Sequence, residues 1–196
     1  MRIVILLITF LIPISALGED GESVYSPLTP GEKFNFYLKS TVDPVSMAAS
    51  VFSSGFNQAI DSVPEWGQGM DGYGKRFASS YGQKTVDKTI RSGLKILLRE
   101  DPRFFYSERQ GVGDRTLHAV GEVFITHKDS GGLRPNYSWF ASTASSVYIS
   151  RKKWHPEKYQ TTENYLQGIA MSIGIQSAKN VFAEFWPDIK KKFLKR

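Results

Sequence analysis

Few side chains in this chain could exchange a proton. His118 and Glu122 stand four residues apart, the spacing that brings two side chains together on one helix face, and His127 and Asp129 follow shortly after. An imidazole beside a carboxylate is the minimum for general acid–base work, because histidine titrates near neutral pH and an acid can orient it. The same residue types serve equally well as structural or solvated groups, so this pattern alone assigns no catalytic residue. Other chemistry is excluded more firmly. The chain has no cysteine, which removes disulfides, thiol nucleophiles and cysteine-ligated metals. It carries no HExxH, GxSxG, SxxK, P-loop or dinucleotide-binding pattern, so neither metal nor cofactor is expected.

Two further groups could bind rather than react. Arg76, Asp101, Arg103 and Arg109 flank a glycine-rich stretch and an aromatic stretch; they would either form a polar site at one end of the fold or hold those loops with ion pairs and caps. The C-terminal segment places Lys190, Lys191, Lys192, Lys195 and Arg196 beside Trp186, Ile189 and Phe193. A basic amphipathic run of this kind suits an anionic membrane surface, worth ~1 kcal/mol per cation near the lipid. It would also suit a solvated helix end, where cations complement the carbonyl terminus.

The elements that must position these residues announce themselves by their caps. Thr29-Pro30-Gly31-Glu32 combines a hydroxyl cap, proline at the first helical position and glutamate three residues on, predicting a helix to about Ser40. Asp43-Pro44 starts a second helix to about Ile60, and Ser62-Val63-Pro64-Glu65 repeats the capping signal. Four glycines between Gly67 and Gly74 make a loop or a close backbone approach. A helix follows with Tyr73, Phe77, Tyr81, Val86, Ile90, Leu94 and Leu97 on its stripe. Asp114 should cap a further helix bearing Leu117, Val120 and Phe124, although residues 120–127 read as helix or strand. Asn136 caps another to about Ser150, and Thr162 to Phe185 forms the last long one, with Leu166, Ile169, Ile173, Val181 and Phe185 inward. Pro187 should then begin a short basic tail helix. The expected architecture is therefore all-α, one domain (residues 29–186) of about five to seven helices, with the tail at 187–196. Pro44–Ile60, Pro135–Ser150 and Asn164–Ala178 contain no charged residue and are rich in Ala, Ser and Gly, which suits close helix packing and would also allow protomers to pair.

Length and composition agree with one globular domain: 196 residues, 41% apolar and 22% charged, with a net charge of +6. Met1-Arg2 followed by an apolar run to Ile14 and small residues at Ala16 and Gly18 reads as a secretory signal peptide, too short for a membrane span. Cleavage after Gly18 would leave 24 cations against 19 acids, with residues 19–28 as a flexible leader. Export makes nucleic acid an unsuitable partner despite the positive charge. The lack of disulfides in an exported domain points to a bacterial periplasm or cell envelope.

Glu65-Trp66-Gly67-Gln68-Gly69, Gly72-Tyr73-Gly74-Lys75-Arg76-Phe77 and Asp101-Pro102-Arg103-Phe104-Phe105 resemble a pattern in secreted bacterial proteins that carry no assigned activity. The resemblance implies an exported helical domain and transfers no catalytic residue. The expected function is non-catalytic, with peripheral attachment to an anionic membrane through the basic C-terminus. The alternatives are a hydrolase using the histidine–acid pairs and an assembly protein that binds another envelope protein.

Overall fold

A computed structural model describes residues 26–194; the expected signal peptide, most of the expected leader, and Lys195 and Arg196 lie outside the described residues. Six α-helices and one short β-hairpin make up the fold, confirming the all-α architecture. The helices are α1 (Pro30–Thr41), α2 (Pro44–Ala59), α3 (Gly69–Leu97), α4 (Val112–Gly121), α5 (Tyr137–Lys153) and α6 (Thr162–Leu194). Strands β1 (Ile125–His127) and β2 (Leu133–Pro135) pair antiparallel with Thr126 opposite Arg134. Helix α3 is the spine. It packs on α1, α2 and α5, while α6 closes the far side against α4 and α5.

The caps act as the sequence implies. Thr29 Oγ1 accepts the Glu32 amide at 3.3 Å and Glu32 Oε2 accepts the Thr29 amide at 2.8 Å, a complete capping box. Asp43 accepts the Ser46 amide at 2.9 Å, and Asn136 accepts the Trp139 amide at 3.3 Å. Other starts differ. Helix α4 begins at Val112 behind Gly111, whose φ of 100° glycine tolerates, so Asp114 lies in the first turn and is not the cap. The 120–127 segment divides: the helix stops at Gly121 and β1 starts at Ile125, folded back by Gly131 and Gly132 at φ 84° and 78°. Pro64–Trp66 forms only a 3-10 turn, with Val63 left-handed at φ 62° and no side-chain cap. The helix after it starts inside the glycine-rich stretch, at Gly69.

Pro187 does not begin a new helix; α6 continues through it to Leu194. A proline inside a helix loses one backbone bond and crowds the preceding turn. Arg115 on α4 braces both sides of that turn. It donates to the Glu184 carboxylate at 2.9 Å, the Glu184 carbonyl at 2.7 Å and Asp188 at 2.6 Å, with its guanidinium 4.5 Å from the Phe185 ring.

The largest departure from expectation is which faces point inward. Among the described residues, five apolar side chains are buried (Val63, Ala119, Val123, Trp139, Val147) against sixteen polar or charged ones. Ser138, Ser142, Ser146 and Ser150 form an i, i+4 stripe buried on α5, and Ser50 and Ser54 do the same on α2. Conversely Phe34, Leu38, Met47, Met70, Leu97, Leu117, Leu166 and Ile175 are exposed. Leu166, expected inward, is exposed, as are Leu97, Leu117 and Phe124 of the expected apolar stripes; Asn180 and Glu184 hold the buried side of α6 instead. Several hydroxyls are satisfied on their own helix (Ser54 Oγ donates to Ser50 O at 2.7 Å), so small polar residues can face a neighbouring helix without stranding a donor.

Close backbone approach occurs at particular glycines. A Cβ on Gly72 would overlap the Gly67 carbonyl, and one on Gly168 would lie 2.8 Å from Val147 Cγ1 across the α5–α6 contact. Around Gly74 nothing lies within 4 Å. Gly72→Ala should therefore lower stability by ~1–3 kcal/mol through forced backbone movement. Gly74→Ala, in an open helical turn, should raise it by ~0.5–1 kcal/mol. Urea unfolding of the two variants checks the opposite signs; a stabilised Gly72→Ala would refute the close approach.

Candidate functional site

The four polar loop residues do not share a site. Arg76 and Asp101 belong to opposite ends of α3, ~30 Å apart by helical rise. Arg76 is buried and ties down the glycine-rich stretch, donating to the carbonyls of Ser62 at 3.0 Å, Gly67 at 2.7 Å and Val63 at 3.2 Å. Those bonds hold Val63 in a conformation that a β-branched residue rarely adopts. Asp101 and Arg103 remain together, with Arg103 Nη2 2.6 Å from Asp101 Oδ2 and 2.8 Å from the Ser26 carbonyl. The Arg103 pair and hydrogen bonds hold the Asp101 carboxyl below its ordinary range despite burial. Arg109 is exposed, and only its backbone amide is engaged, by Ser107 Oγ at 3.1 Å.

The histidine–acid group is also redistributed. Because α4 ends at Gly121, the Glu122 carboxylate bonds His127, Nε2 to Oε1 at 3.3 Å, and not His118, which acts on it only through charge. His118 Nε2 donates to the Phe105 carbonyl at 3.0 Å. The His127 ring lies flat on Phe105 with centroids 3.9 Å apart. Asp129 leaves the group altogether and grips the buried Lys33 through both oxygens at 2.6 and 2.8 Å. Burial pushes the Glu122 carboxyl up while His127 and then His118 pull it back. Of Glu122 and His127, only Glu122 lines the cavity described next. Among the described residues no group of three or more His, Asp and Glu side chains could hold a metal ion.

That cavity, about 230 Å³ and open to solvent on one side, is lined by α1, α3, α5, α6, the Pro102–Phe104 segment and the hairpin. Its wall presents Lys33, Lys88, Arg91, Lys95 and Arg103 together with Phe36, Phe104 and Trp139. Helix α3 supplies most of the charge. Lys84, Lys88, Arg91 and Lys95 recur at steps of four, three and four, the spacing ordinarily occupied by a core-facing apolar stripe. The sequence reading followed the aromatic stripe of α3 and passed over this one, although its period was visible.

Some of these cations have acids. Arg91 Nη2 is 2.5 Å from Asp87 Oδ2, and its guanidinium lies 5.7 Å from the Trp139 ring. Lys95 donates to the Asp101 carbonyl at 2.8 Å and to Thr126 at 3.2 Å, with Glu100 at 3.9 Å. Others have none. Lys84 reaches only Ser50 Oγ at 2.9 Å, and Lys88 reaches the Ser40 carbonyl and Ser46 Oγ. Lys179, on α6 between Gln176 and Asn180 but not itself lining the cavity, has neither a hydrogen bond nor an ion pair to a described residue. Burial lowers the ammonium of Lys179 to about 8, helped by repulsion from Lys84, Arg91 and Lys88. Burial also lowers Lys95 to about 8, opposed by Glu100, and lowers Lys84 and Lys88.

The expected binding tail is an extension of α6. Trp186 packs against Phe182 with ring centroids 5.4 Å apart, while Lys190, Lys191 and Lys192 are exposed on its last turns. Phe193 continues the helix backbone. Comparisons of the chain with protein-family models, curated proteins and solved structures find no match, so the site is interpreted from its own geometry.

The buried lysines make a pH signature. The unfolded chain holds their protons with the ordinary value of 10.5, whereas the folded chain releases them at about 8. Each therefore destabilises the fold up to about pH 8, by up to ~3 kcal/mol, and that cost fades as pH rises towards 10.5. Stability should climb between pH 8 and 10. Lys179→Met should raise stability at pH 7 and flatten part of that climb, both read by chemical denaturation; a Lys179→Met variant with the wild-type profile would show that this ammonium is solvated.

Proposed function

We propose that this chain is an exported bacterial envelope protein that acts by binding at a membrane surface and not by catalysis. The observation that carries the reading is the inverted bundle, with polar groups inside and large apolar side chains outside on α1, α2, α4 and α6. In water the reverse arrangement is favoured by ~25 cal/mol for each Å² of apolar surface buried. Against lipid, a polar interior and an apolar exterior are the favourable arrangement. No described helix is long and apolar enough to cross a membrane. Seating in the interfacial layer is therefore the mode that fits, with the bundle's apolar side chains in the boundary region.

Charge selects the lipid. Lys190, Lys191 and Lys192 project from the end of α6, and Lys195 and Arg196 follow in sequence. Each contributes ~1 kcal/mol near an anionic surface. Apolar burial then supplies the salt-resistant part of the binding and the cationic end supplies the salt-sensitive part.

Flotation of the mature chain with liposomes tests this. It should float with phosphatidylglycerol-containing vesicles more than with phosphatidylcholine alone, and 0.5 M salt should weaken flotation without abolishing it, since screening is nearly complete at ~0.5–1 M. The triple change Lys190→Gln, Lys191→Gln, Lys192→Gln should cost ~100-fold in partitioning at low salt and leave the salt-resistant fraction. Protein that stays at the bottom of the gradient with every vesicle would overturn the membrane reading in favour of a protein partner in the envelope.

A further inference from the structure

The wall of the cavity is balanced in charge but not in hydrogen bonds, and membrane binding uses neither property. Its cations face acids: Lys33 pairs with Asp129, Arg91 with Asp87, Arg103 with Asp101 and Lys95 with Glu100, while Lys88 bonds no carboxylate but is offset by the charges of Asp43 and Asp87. Glu122 adds its own carboxylate to the same wall. A charged ligand of either sign would therefore meet repulsion as well as attraction. Hydrogen bonding leaves more open. Trp139, Arg91, Glu122 and Gln176 all line the cavity, and each keeps a polar atom without a hydrogen-bond partner among the described residues. Two of these atoms donate. They are the indole Nε1 of Trp139, a side chain only 3% exposed, and Nη1 of Arg91, whose Nε and Nη2 are taken by Ser142, Asp87 and Thr143. The other two accept: Oε2 of Glu122, whose Oε1 meets His127, and Oε1 of Gln176, whose Nε2 donates to Asn180. A buried donor without an acceptor is rare and costly in a folded protein.

We infer that the cavity binds one neutral sugar ring, its hydroxyls joining the free donors of Trp139 and Arg91 to the free acceptors of Glu122 and Gln176, and its C–H face against Phe36 and Phe104. A hydroxyl both donates and accepts, so a ring that carries several serves both kinds of unused group at once. A carboxylate or a fully ionised phosphate only accepts and would leave the Glu122 and Gln176 oxygens unpaired. An ammonium only donates and would leave the two N–H groups unpaired. The ion pairs suit the same ligand, because Arg91 and Glu122 are already fixed by partners and need little reordering on binding. Pockets of this kind combine aromatic walls with a few placed polar groups, and Phe36 and Phe104 supply the aromatic part. The volume of about 230 Å³ lies below that of sites for drug-sized molecules, ~300–1,000 Å³, which suits a single ring. The open side lets a second unit continue into solvent. The ring is thus a free monosaccharide or the last residue of a glycan, and the chemistry of recognition is shared. Sugar binding does not rest on the membrane reading, and its test contains no lipid.

Saturation-transfer NMR of the mature protein is recorded with glucose, galactose and mannose, each beside its uronate and its amino sugar. At least one neutral sugar should bind saturably with a Kd of ~1 mM, as befits a ligand of so few atoms, and its charged counterparts at least ~10-fold more weakly. Gln176→Leu and Trp139→Phe, which remove one acceptor and one donor, should each weaken that binding at least ~10-fold. Lys152→Gln with Lys153→Gln, both exposed on the last turn of α5, should not. Trp139 is a core residue, so the unfolding midpoint of each variant is measured without sugar; Gln176 is only half-buried, and Gln176→Leu decides the matter if Trp139→Phe does not fold. A disaccharide ending in the preferred ring separates the two sources. Binding at least as tight as that of the single ring identifies the end of a glycan, and exclusion identifies a free monosaccharide. Absence of a saturable signal from every neutral sugar up to ~50 mM overturns the site. So does tighter binding of a uronate or an amino sugar, or undiminished binding in folded Gln176→Leu.

Discussion

A carboxylate with no access to solvent, Glu100, sits where three parts of the structure meet, and its need for partners determines how they meet. It follows the C-terminus of α3, forms a backbone bridge with Lys128 of the hairpin, and accepts from Ser138 in the first turn of α5. Arg134 on β2 approaches its other oxygen at 3.3 Å and donates to the Leu98 carbonyl at 3.0 Å, one of the carbonyls left open where α3 ends. Lys95 stands 3.9 Å away on the preceding turn. Removing one partner of such a buried group generally costs ~3–5 kcal/mol, since the remaining charge cannot be rehydrated. The hairpin is only three residues per strand, too short to persist alone. Its register, with Arg134 opposite Thr126, is what aims one guanidinium at Glu100 and one hydroxyl at Lys95.

The same rule operates at two other junctions. Arg76 spreads its donors over the carbonyls of the Ser62–Gly67 turn, and Arg115 spans Glu184 and Asp188 across Pro187. In each case a planar fork satisfies backbone or carboxylate oxygens that a nonhelical turn or a proline would otherwise leave open. A bundle whose interior is polar cannot rely on non-directional packing to choose one arrangement. Directed bonds between specific donors and acceptors choose it instead.

This explains why the sequence was legible in some respects and opaque in others. Helix starts at Thr29, Asp43 and Asn136 were legible because a cap is a local event, complete within four residues. The end of α4 and the rise of β1 from residues 120–127 were ambiguous, because β-branched content there fits either state until the hairpin partner is known. The orientation of the helices was misread for one reason. A stripe of large apolar residues reads as the packed face, whereas the period-3.6 stripes that face inward here are Ser138-Ser142-Ser146-Ser150 and Lys84-Lys88-Arg91-Lys95, with Leu117 and Leu166 exposed. Of the candidate site, the Asp101–Arg103 pair was visible as neighbours in sequence. The Lys33–Asp129 pair joins residues far apart in the chain, and no spacing rule could have brought Lys33 to the hairpin.

The lysines on the inner side of α3 and α6 show what a polar interior costs and what it returns. Lys84 and Lys88 repel one another and both repel Lys179, and Asp87 and Asp43 offset only part of that repulsion. An ammonium removed from water is costly, so each of these side chains lowers stability at neutral pH relative to an uncharged one. In return they are directed donors: Lys84 reaches Ser50 Oγ on α2, and Lys88 reaches the Ser40 carbonyl on α1 and Ser46 Oγ on α2, so α3 is tied to both neighbours at defined points. Stability given up by desolvation is thus exchanged for a fixed relative placement of three helices, which non-directional packing of small residues would leave open.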